Sequence, residues 1–180
     1  MKMPDDSDSA ARLAETLLDE LRTAYPHGVP NLYRTLLGNP AVLSGFVALE
    51  LKLEAHGCLT SAERLLVGLV TAREVDCTYC RAALSAEARA AGAAEQDVEA
   101  VLASDLPENR RARVLVEATT RILQLHGRLP RAEIAHFGRM GLTEADLLEV
   151  ISVVGLFTIA TYANNLMRTR IDPEYRPGAP

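Results

Sequence analysis

The stretch that decides the fold is Thr60-Ser61-Ala62-Glu63-Arg64-Leu65-Leu66-Val67-Gly68-Leu69-Val70-Thr71-Ala72, followed five residues later by Cys77-Thr78-Tyr79-Cys80-Arg81-Ala82-Ala83. Thr60 and Glu63 form a capping-box pattern, in which the threonine caps a helix and the glutamate reaches back to the cap's own N–H. The helix that follows carries Leu65, Leu66, Val67, Leu69, Val70 and Ala72. It is apolar nearly all round, and a helix without a polar face belongs at the centre of a core. Cys77 then opens a second helix, which Gly92 stops.

The same helical period continues on both sides, while the period-two alternation of a half-buried strand is nearly absent. Residues 9–24 place Leu13, Leu17, Leu18 and Leu21 on one stripe, which Pro26 and Gly28 end. Pro30-Asn31-Leu32-Tyr33 starts a short helix that Gly38-Asn39-Pro40 terminates. Residues 41–56 put Val42, Phe46, Leu49 and Leu53 on one side, and Gly57 closes them. Further helices are expected at 95–104, 108–126, 131–139 and 143–167, separated by Pro107, Pro130 and Gly141. The expectation is one all-α domain of roughly eight helices over residues 9–170, with the CxxC at the N-terminus of a central helix. Residues 1–8 are expected to be disordered, and 171–180 to form an extended tail containing Pro173, Pro177, Gly178 and Pro180.

A chain of 180 residues with 48% apolar and 24% charged residues suffices for one cored domain and excludes a largely disordered protein. The net charge of −5 repels phosphate backbones. The densest basic run, Arg110-Arg111-Ala112-Arg113, sits between Glu108 and Glu117 and reads as a solvated helix face. Nucleic acid is therefore excluded as a partner. The first residues are acidic and polar, with no apolar run of the kind a secretory signal needs. Three cysteines, two of them three apart, suit a reducing cytoplasmic setting better than a disulfide framework. Residues 150–167 carry no charge, yet Asn164 and Asn165 would be costly in hydrocarbon, so a buried core or interface helix is expected and no membrane span.

A sulfur at a helix N-terminus meets unpaired N–H groups and the positive end of the helix dipole, which lowers its pKa and raises its thiolate fraction. The CxxC spacing sets Cys77 at the first turn and Cys80 one turn further, close enough to close a disulfide. Three other readings compete. Zinc would need two more ligands, and no second CxxC or HxxxH is present. A thioredoxin-type site needs a preceding strand, and two structural cysteines spaced by chance need no chemistry at all. The redox pair leads, with no metal and no cofactor expected. Cys58, in the loop before the capping box, reads as a tolerated small residue.

Ser61-Ala62-Glu63-Arg64-Leu65-Leu66-Val67 and Cys77-Thr78-Tyr79-Cys80-Arg81-Ala82-Ala83 resemble the alkylhydroperoxidase AhpD-like, carboxymuconolactone decarboxylase family. Pro30-Asn31-Leu32-Tyr33-Arg34-Thr35-Leu36 with Asn39-Pro40 resembles its lead-in helix. Leu142-Thr143-Glu144-Ala145-Asp146-Leu147-Leu148-Glu149-Val150, followed by Tyr162-Ala163-Asn164-Asn165, resembles its closing helix. The resemblance covers residues 30–172 and implies an all-helical oligomer, a dimer, trimer or hexamer. It implies that Cys80 attacks a hydroperoxide, that Cys77 resolves it, and that an external thiol or dithiol reduces the disulfide.

Two positions depart from that pattern. The family motif has a histidine four residues after the second cysteine and a glutamate about twelve before the first, where this chain has Leu84 and Leu65. General acid–base help of the kind those groups give is worth on the order of 10²–10⁴-fold. Tyr79, Glu63 and Glu74 are the candidate supporting groups nearest in sequence, although Glu63 suits the capping box better and Glu74 would raise a neighbouring thiol's pKa. Arg73 and Arg81 are alternative electrostatic partners, while His27, His56, His126 and His136 are distant in sequence. Two function classes follow: a dithiol oxidoreductase acting on a hydroperoxide or other small molecule, and a non-peroxidatic binder or structural oligomer with a leucine-lined cavity. A lactone decarboxylase, with no histidine in place for enol protonation, ranks last.

Overall fold

The computed structural model describes residues 6–176. Among them lie nine α-helices and one 3-10 turn: α1 (Asp6–Ala24), α2 (Asn31–Leu36), α3 (Pro40–His56), α4 (Ser61–Glu74), α5 (Thr78–Ala90), α6 (Glu95–Leu102), α7 (Arg110–Leu125), α8 (Arg131–Arg139), α9 (Glu144–Met167) and the turn Pro173–Tyr175. No strand occurs among the described residues. The helix count exceeds the expected eight by one, and α1 begins at Asp6, inside the segment expected to be disordered. Residues 1–5 and 177–180 lie outside the described region, and so does that part of both terminal expectations.

The apolar helix is central, as its sequence demands. Leu66, Val67, Gly68, Leu69, Val70, Thr71 and Ala72 of α4 are all buried, and α5, α6, α7 and α9 pack around it. Each fully buried Leu or Val side chain stabilises the fold by about 1.5–3 kcal/mol relative to exposure. Helices α4 and α9 approach closely where a Cβ on Gly68 would lie 2.5 Å from the Phe157 ring. Glycine at position 68 is what lets that ring lie against the helix backbone.

The capping box at Thr60 and Glu63 forms as its pattern requires, and a second joins Thr143 to Asp146 at the start of α9. One guanidinium from α7 ties the two helix starts together. Arg111 donates to Glu63 at 3.0 Å, to Asp146 at 2.8 Å and to the Gly141 carbonyl at 2.7 Å. Glu149, buried on α9, accepts from the N–H groups of Cys58 and Leu59 and so fixes the loop that leads into α4.

The residues after α9 dock on the domain. Pro30, at the start of α2, offers no side-chain cap, and Asp172 supplies one, accepting from the Asn31 N–H at 3.1 and 3.2 Å. The same carboxylate accepts from the Tyr79 hydroxyl at 2.6 Å, and that hydroxyl accepts from the Leu32 N–H at 3.2 Å. Helix α9 is long and apolar enough to cross a bilayer. In the fold Val150, Val153, Leu156, Phe157, Ala160 and Asn164 are its buried side, while Leu148, Ile151, Ile159, Tyr162 and Leu166 form an exposed stripe.

Gly68→Ala is expected to lower stability. Overpacking against Phe157 costs about 1–3 kcal/mol and exceeds the roughly 1 kcal/mol gained by replacing glycine within a helix. Gly45→Ala in α3, where a Cβ meets no atom within 4 Å, serves as the control and should be neutral or stabilising. Denaturant unfolding of the two variants measures the difference.

Candidate functional site

The dithiol is built by the turn between α4 and α5. Val75 ends α4, and Asp76 takes a left-handed conformation, φ 49°, which asparagine and aspartate tolerate better than most residues. The Cys77 N–H donates back to the Ala72 carbonyl at 2.9 Å. Cys77 thereby becomes the N-cap of α5, its sulfur accepting from the Cys80 N–H at 3.4 Å. Sulfur fills the place that a serine or aspartate oxygen usually takes.

That position separates the two thiols electrostatically. The Cys80 thiol, and the N–H groups of Cys80 and Tyr79, donate toward the Cys77 sulfur and lower its pKa to about 7, against the opposing effects of burial and of Asp76. Cys80 is pushed up, first by its bond to Cys77 and then by burial, while the Asn164 amide opposes this. Asn164 Nδ2 lies 3.2 Å from the Cys80 sulfur. When the pair loses its first proton, the charge therefore sits on Cys77 and Cys80 stays a thiol. Both residues are buried, with Cys77 at 0% and Cys80 at 2% exposure.

Cys80 lines a cavity of about 60 Å³, and Cys77 is not part of its wall. Leu65 and Leu84 also line it, so the two leucines at the family's relay positions do face the thiol side. Two carboxyls line it as well, Glu50 from α3 and Glu87 from α5, together with Tyr33, Tyr79 and Tyr175. A trough of about 660 Å³ lies alongside and shares Tyr33, Glu50, Leu65 and Phe157 with the cavity.

Glu50 and Glu87 are both half-buried, and the protein packed around them desolvates their carboxyls. Burial raises the Glu50 pKa to about 7, against the Tyr33 hydrogen bond, with Glu87 and Glu54 adding repulsion. Tyr33 donates to Glu50 at 3.0 Å, and the Tyr25 hydroxyl lies 2.9 Å from that of Tyr33. Burial likewise raises Glu87, which accepts from the Tyr175 hydroxyl at 2.7 Å.

The supporting groups named from sequence lie elsewhere, apart from Tyr79. The Tyr79 ring lines the cavity while its hydroxyl bonds to Asp172. Glu63 accepts from the Thr60 N–H and from Arg111. Glu74 pairs with Arg73 at 2.7 Å, and Arg81 with Asp76 at 2.9 Å. Neither Glu63 nor Glu74 lines the cavity, and no histidine does. Cys58 is exposed and also outside it. Among the described residues, no group of three or more His, Cys, Asp or Glu side chains is placed to hold a metal ion.

Sequence reading missed Glu50, Glu87 and Asn164, though their spacing carried a signal. Glu50 follows Leu43 and Phe46 on the buried face of α3, and Glu87 follows Cys80 and Leu84 at helical spacing on α5. A carboxylate on the inward face of an apolar stripe is a marker of function when burial perturbs it.

No family model and no curated protein matches the sequence. Solved structures do. A peroxidase-related protein of uncharacterised function from Silicibacter sp. TM1040 superposes with a TM-score of 0.76 at 19% identity, over 97% of this chain and 89% of that one. A second from Ralstonia eutropha JMP134, described as an alkylhydroperoxidase AhpD core, gives 0.81 at 21% identity over 92% and 90%. The debrominase Bmp8 gives 0.69 at 15% identity over 97% and 92%. A cysteine-to-alanine variant of Bmp8 in complex with 2,3,4-tribromopyrrole gives 0.70 at 14% identity over 97% and 91%. Identities this low speak to architecture, and at these scores they do so over nearly the whole chain: the protein has the all-helical fold of the alkylhydroperoxidase AhpD-like proteins.

Proposed function

We propose that this protein is a dithiol oxidoreductase that reduces a small organic hydroperoxide at Cys80, with Cys77 as the resolving thiol. The observation that carries the reading is the asymmetry of the pair: Cys80 opens onto the cavity, and Cys77 sits behind it as the helix cap. The Cys80 proton passes to the Cys77 thiolate, which lies within hydrogen-bonding reach. The Cys80 sulfur attacks the terminal peroxide oxygen, the O–O bond breaks, and the products are a sulfenic acid and an alkoxide, which takes a proton from the site and leaves as the alcohol. The Cys77 thiol displaces water from the sulfenic acid and forms the disulfide. An external dithiol then reduces the disulfide by exchange and leaves oxidised itself.

Volume supports this substrate class. Liquid water occupies about 30 Å³ per molecule, so the cavity of about 60 Å³ admits a peroxy group and little more. An organic body fits the adjoining trough of about 660 Å³, within the roughly 300–1,000 Å³ usual for small-molecule sites. The trough also favours a second reading, reductive debromination of an aromatic ring, because a debrominase shares the fold. In that case the dithiol and the aryl bromide would yield the disulfide, the debrominated ring and hydrogen bromide. The binder alternative rests on Leu65 and Leu84 alone, and the two carboxyls beside them weaken it. The exposed α9 stripe fits a homo-oligomer, and the dithiol fits a reducing, cytoplasmic compartment.

On addition of tert-butyl hydroperoxide to the reduced protein, both thiols of the pair should disappear and a Cys77–Cys80 disulfide should be found by peptide mass spectrometry. Cys80→Ser should abolish turnover with a dithiol donor, and Cys77→Ser should leave a sulfenic acid that dimedone traps. Bromide release from a bromopyrrole in place of peroxide turnover would favour the second reading. Thiols that stay reduced with both substrates would overturn the dithiol proposal.

The thiolate titration checks the electrostatics separately. A lowered pKa places the thiolate at lower pH, so its ultraviolet absorbance should rise with a midpoint of about 7. In Cys80→Ala the midpoint should move up toward the ordinary cysteine value of about 8.5, because the largest stabilising donor is gone.

A further inference from the structure

We infer that Glu50 is the general acid of the peroxide step, held for that role by Tyr33 and Glu87 and standing in for the acid–base pair whose positions hold Leu65 and Leu84. This rests on the dithiol reading above and deepens it. Attack by Cys80 expels an alkoxide, which is a poor leaving group unless it is protonated as it departs. The cavity must therefore contain a proton donor that stays protonated near neutral pH. Neither relay position supplies one, and no histidine lines the cavity. The Tyr79 hydroxyl is bonded to Asp172, and the Asn164 amide faces the Cys80 sulfur itself.

Glu50 meets the requirement on geometry. Its carboxyl lines the cavity with Cys80 and also lines the trough, at the junction a substrate's peroxy group would occupy. Tyr33 donates to it at 3.0 Å. With the Tyr33 proton so placed, Tyr25, 2.9 Å away, is the donor to Tyr33. Tyr25 and Tyr33 both line the trough, so the chain Tyr25–Tyr33–Glu50 connects the cavity to trough water. Burial and the neighbouring carboxyl of Glu87 keep a substantial protonated fraction at neutral pH, with the pKa at about 7.

The charged and titratable groups around Glu50 come from every neighbouring element. Glu54 is one turn further along α3, while α1 and the loop after it contribute Glu20 and Tyr25 to the same trough. Arg64 from α4 lines the trough as well. On the cavity side, α2 supplies Tyr33, α5 supplies Tyr79, Cys80 and Glu87, and the C-terminal 3-10 turn supplies Tyr175. Helix α9 contributes only apolar walls there, Phe157 and Ala160.

In the step itself, the Cys80 thiol proton moves to Cys77 and the Cys80 sulfur bonds to the terminal peroxide oxygen. The O–O bond breaks, and the alkoxide takes the Glu50 proton and leaves as the alcohol. Sulfur is oxidised to the sulfenic acid and the peroxide is reduced. The Glu50 carboxylate regains its proton from trough water through Tyr33 and Tyr25, and Cys77 then closes the disulfide with release of water.

The test is single-turnover oxidation of the full-length protein by two oxidants of different leaving group. With tert-butyl hydroperoxide, Glu50→Gln should slow the reaction on the order of 100-fold. With peracetic acid, whose departing acetate needs no proton, the variant should remain close to wild type. Wild-type rate with tert-butyl hydroperoxide should rise as the Cys77 thiolate forms and fall again as Glu50 loses its proton, both at a pH of about 7, and Glu50→Gln should keep the rise and lack the fall. Glu87→Gln, by removing repulsion, should move the fall to lower pH. Retention of the wild-type rate and pH profile in Glu50→Gln would overturn the inference and leave the dithiol reading intact. Equal slowing with both oxidants would overturn it too, showing a structural role. A wild-type protein that neither oxidant oxidises at the Cys77–Cys80 pair would overturn the dithiol reading itself.

Discussion

The N–H groups at the start of α5 need an acceptor, and a sulfur provides it. A helix leaves its first N–H groups without partners, and here Cys77 caps them with the same atom that would carry redox chemistry. The turn before it depends on Asp76 in a left-handed conformation and on the bond from the Cys77 N–H to Ala72. The hydrogen bond between the two sulfurs lowers Cys77 and pushes Cys80 up, and the capped N–H groups lower Cys77 further, so the turn that starts the helix also sets which sulfur carries the charge. The rest of the fold serves that turn. Helix α4 carries it to the middle of the core, and α9 packs close enough through Gly68 and Phe157 to bring Asn164 to Cys80.

The chemistry then follows from what surrounds an apolar cavity. Leucines at two polar positions would leave Cys80 without proton transfer if nothing else faced it. Glu50 and Glu87 face it from α3 and α5, and each is held by a tyrosine hydroxyl, Tyr33 for one and Tyr175 for the other. Withdrawal from solvent raises both carboxyls, and the charge of Glu87 raises Glu50 further. A pocket that reads as hydrophobic in the sequence thus contains two carboxyls, one of them poised near neutrality. The trough beside it leaves room for a substrate larger than hydrogen peroxide.

How much of this was legible depends on range in sequence. Local signals were reliable: the capping box at Thr60 and Glu63, the breaks at Gly57, Pro107, Pro130 and Gly141, and the apolar run of α4 all have short-range causes. The CxxC placed its own sulfurs for the same reason. What escaped was whatever depended on which helices meet. Glu50 precedes Cys80 by thirty residues and Glu87 follows by seven, and only the packing of α3 against the domain brings the two carboxyls to one cavity. Asn164 was noticed as part of a motif, but its bond to Cys80 crosses 84 positions. The docking of Asp172 on α2 and Tyr79 was hidden likewise, because a proline-rich tail gives no periodic signal of what it covers.

The most direct measurement of the central claim is the carboxyl ¹³C chemical shift of Glu50, followed by NMR through a pH titration of the reduced protein and assigned with Glu50→Gln. A carboxyl poised as an acid in the cavity it shares with Cys80 gives a midpoint of about 7, and Glu87→Gln, which removes a neighbouring negative charge, should lower it. A midpoint near the ordinary glutamate value of about 4.3, unchanged by Glu87→Gln, would contradict it.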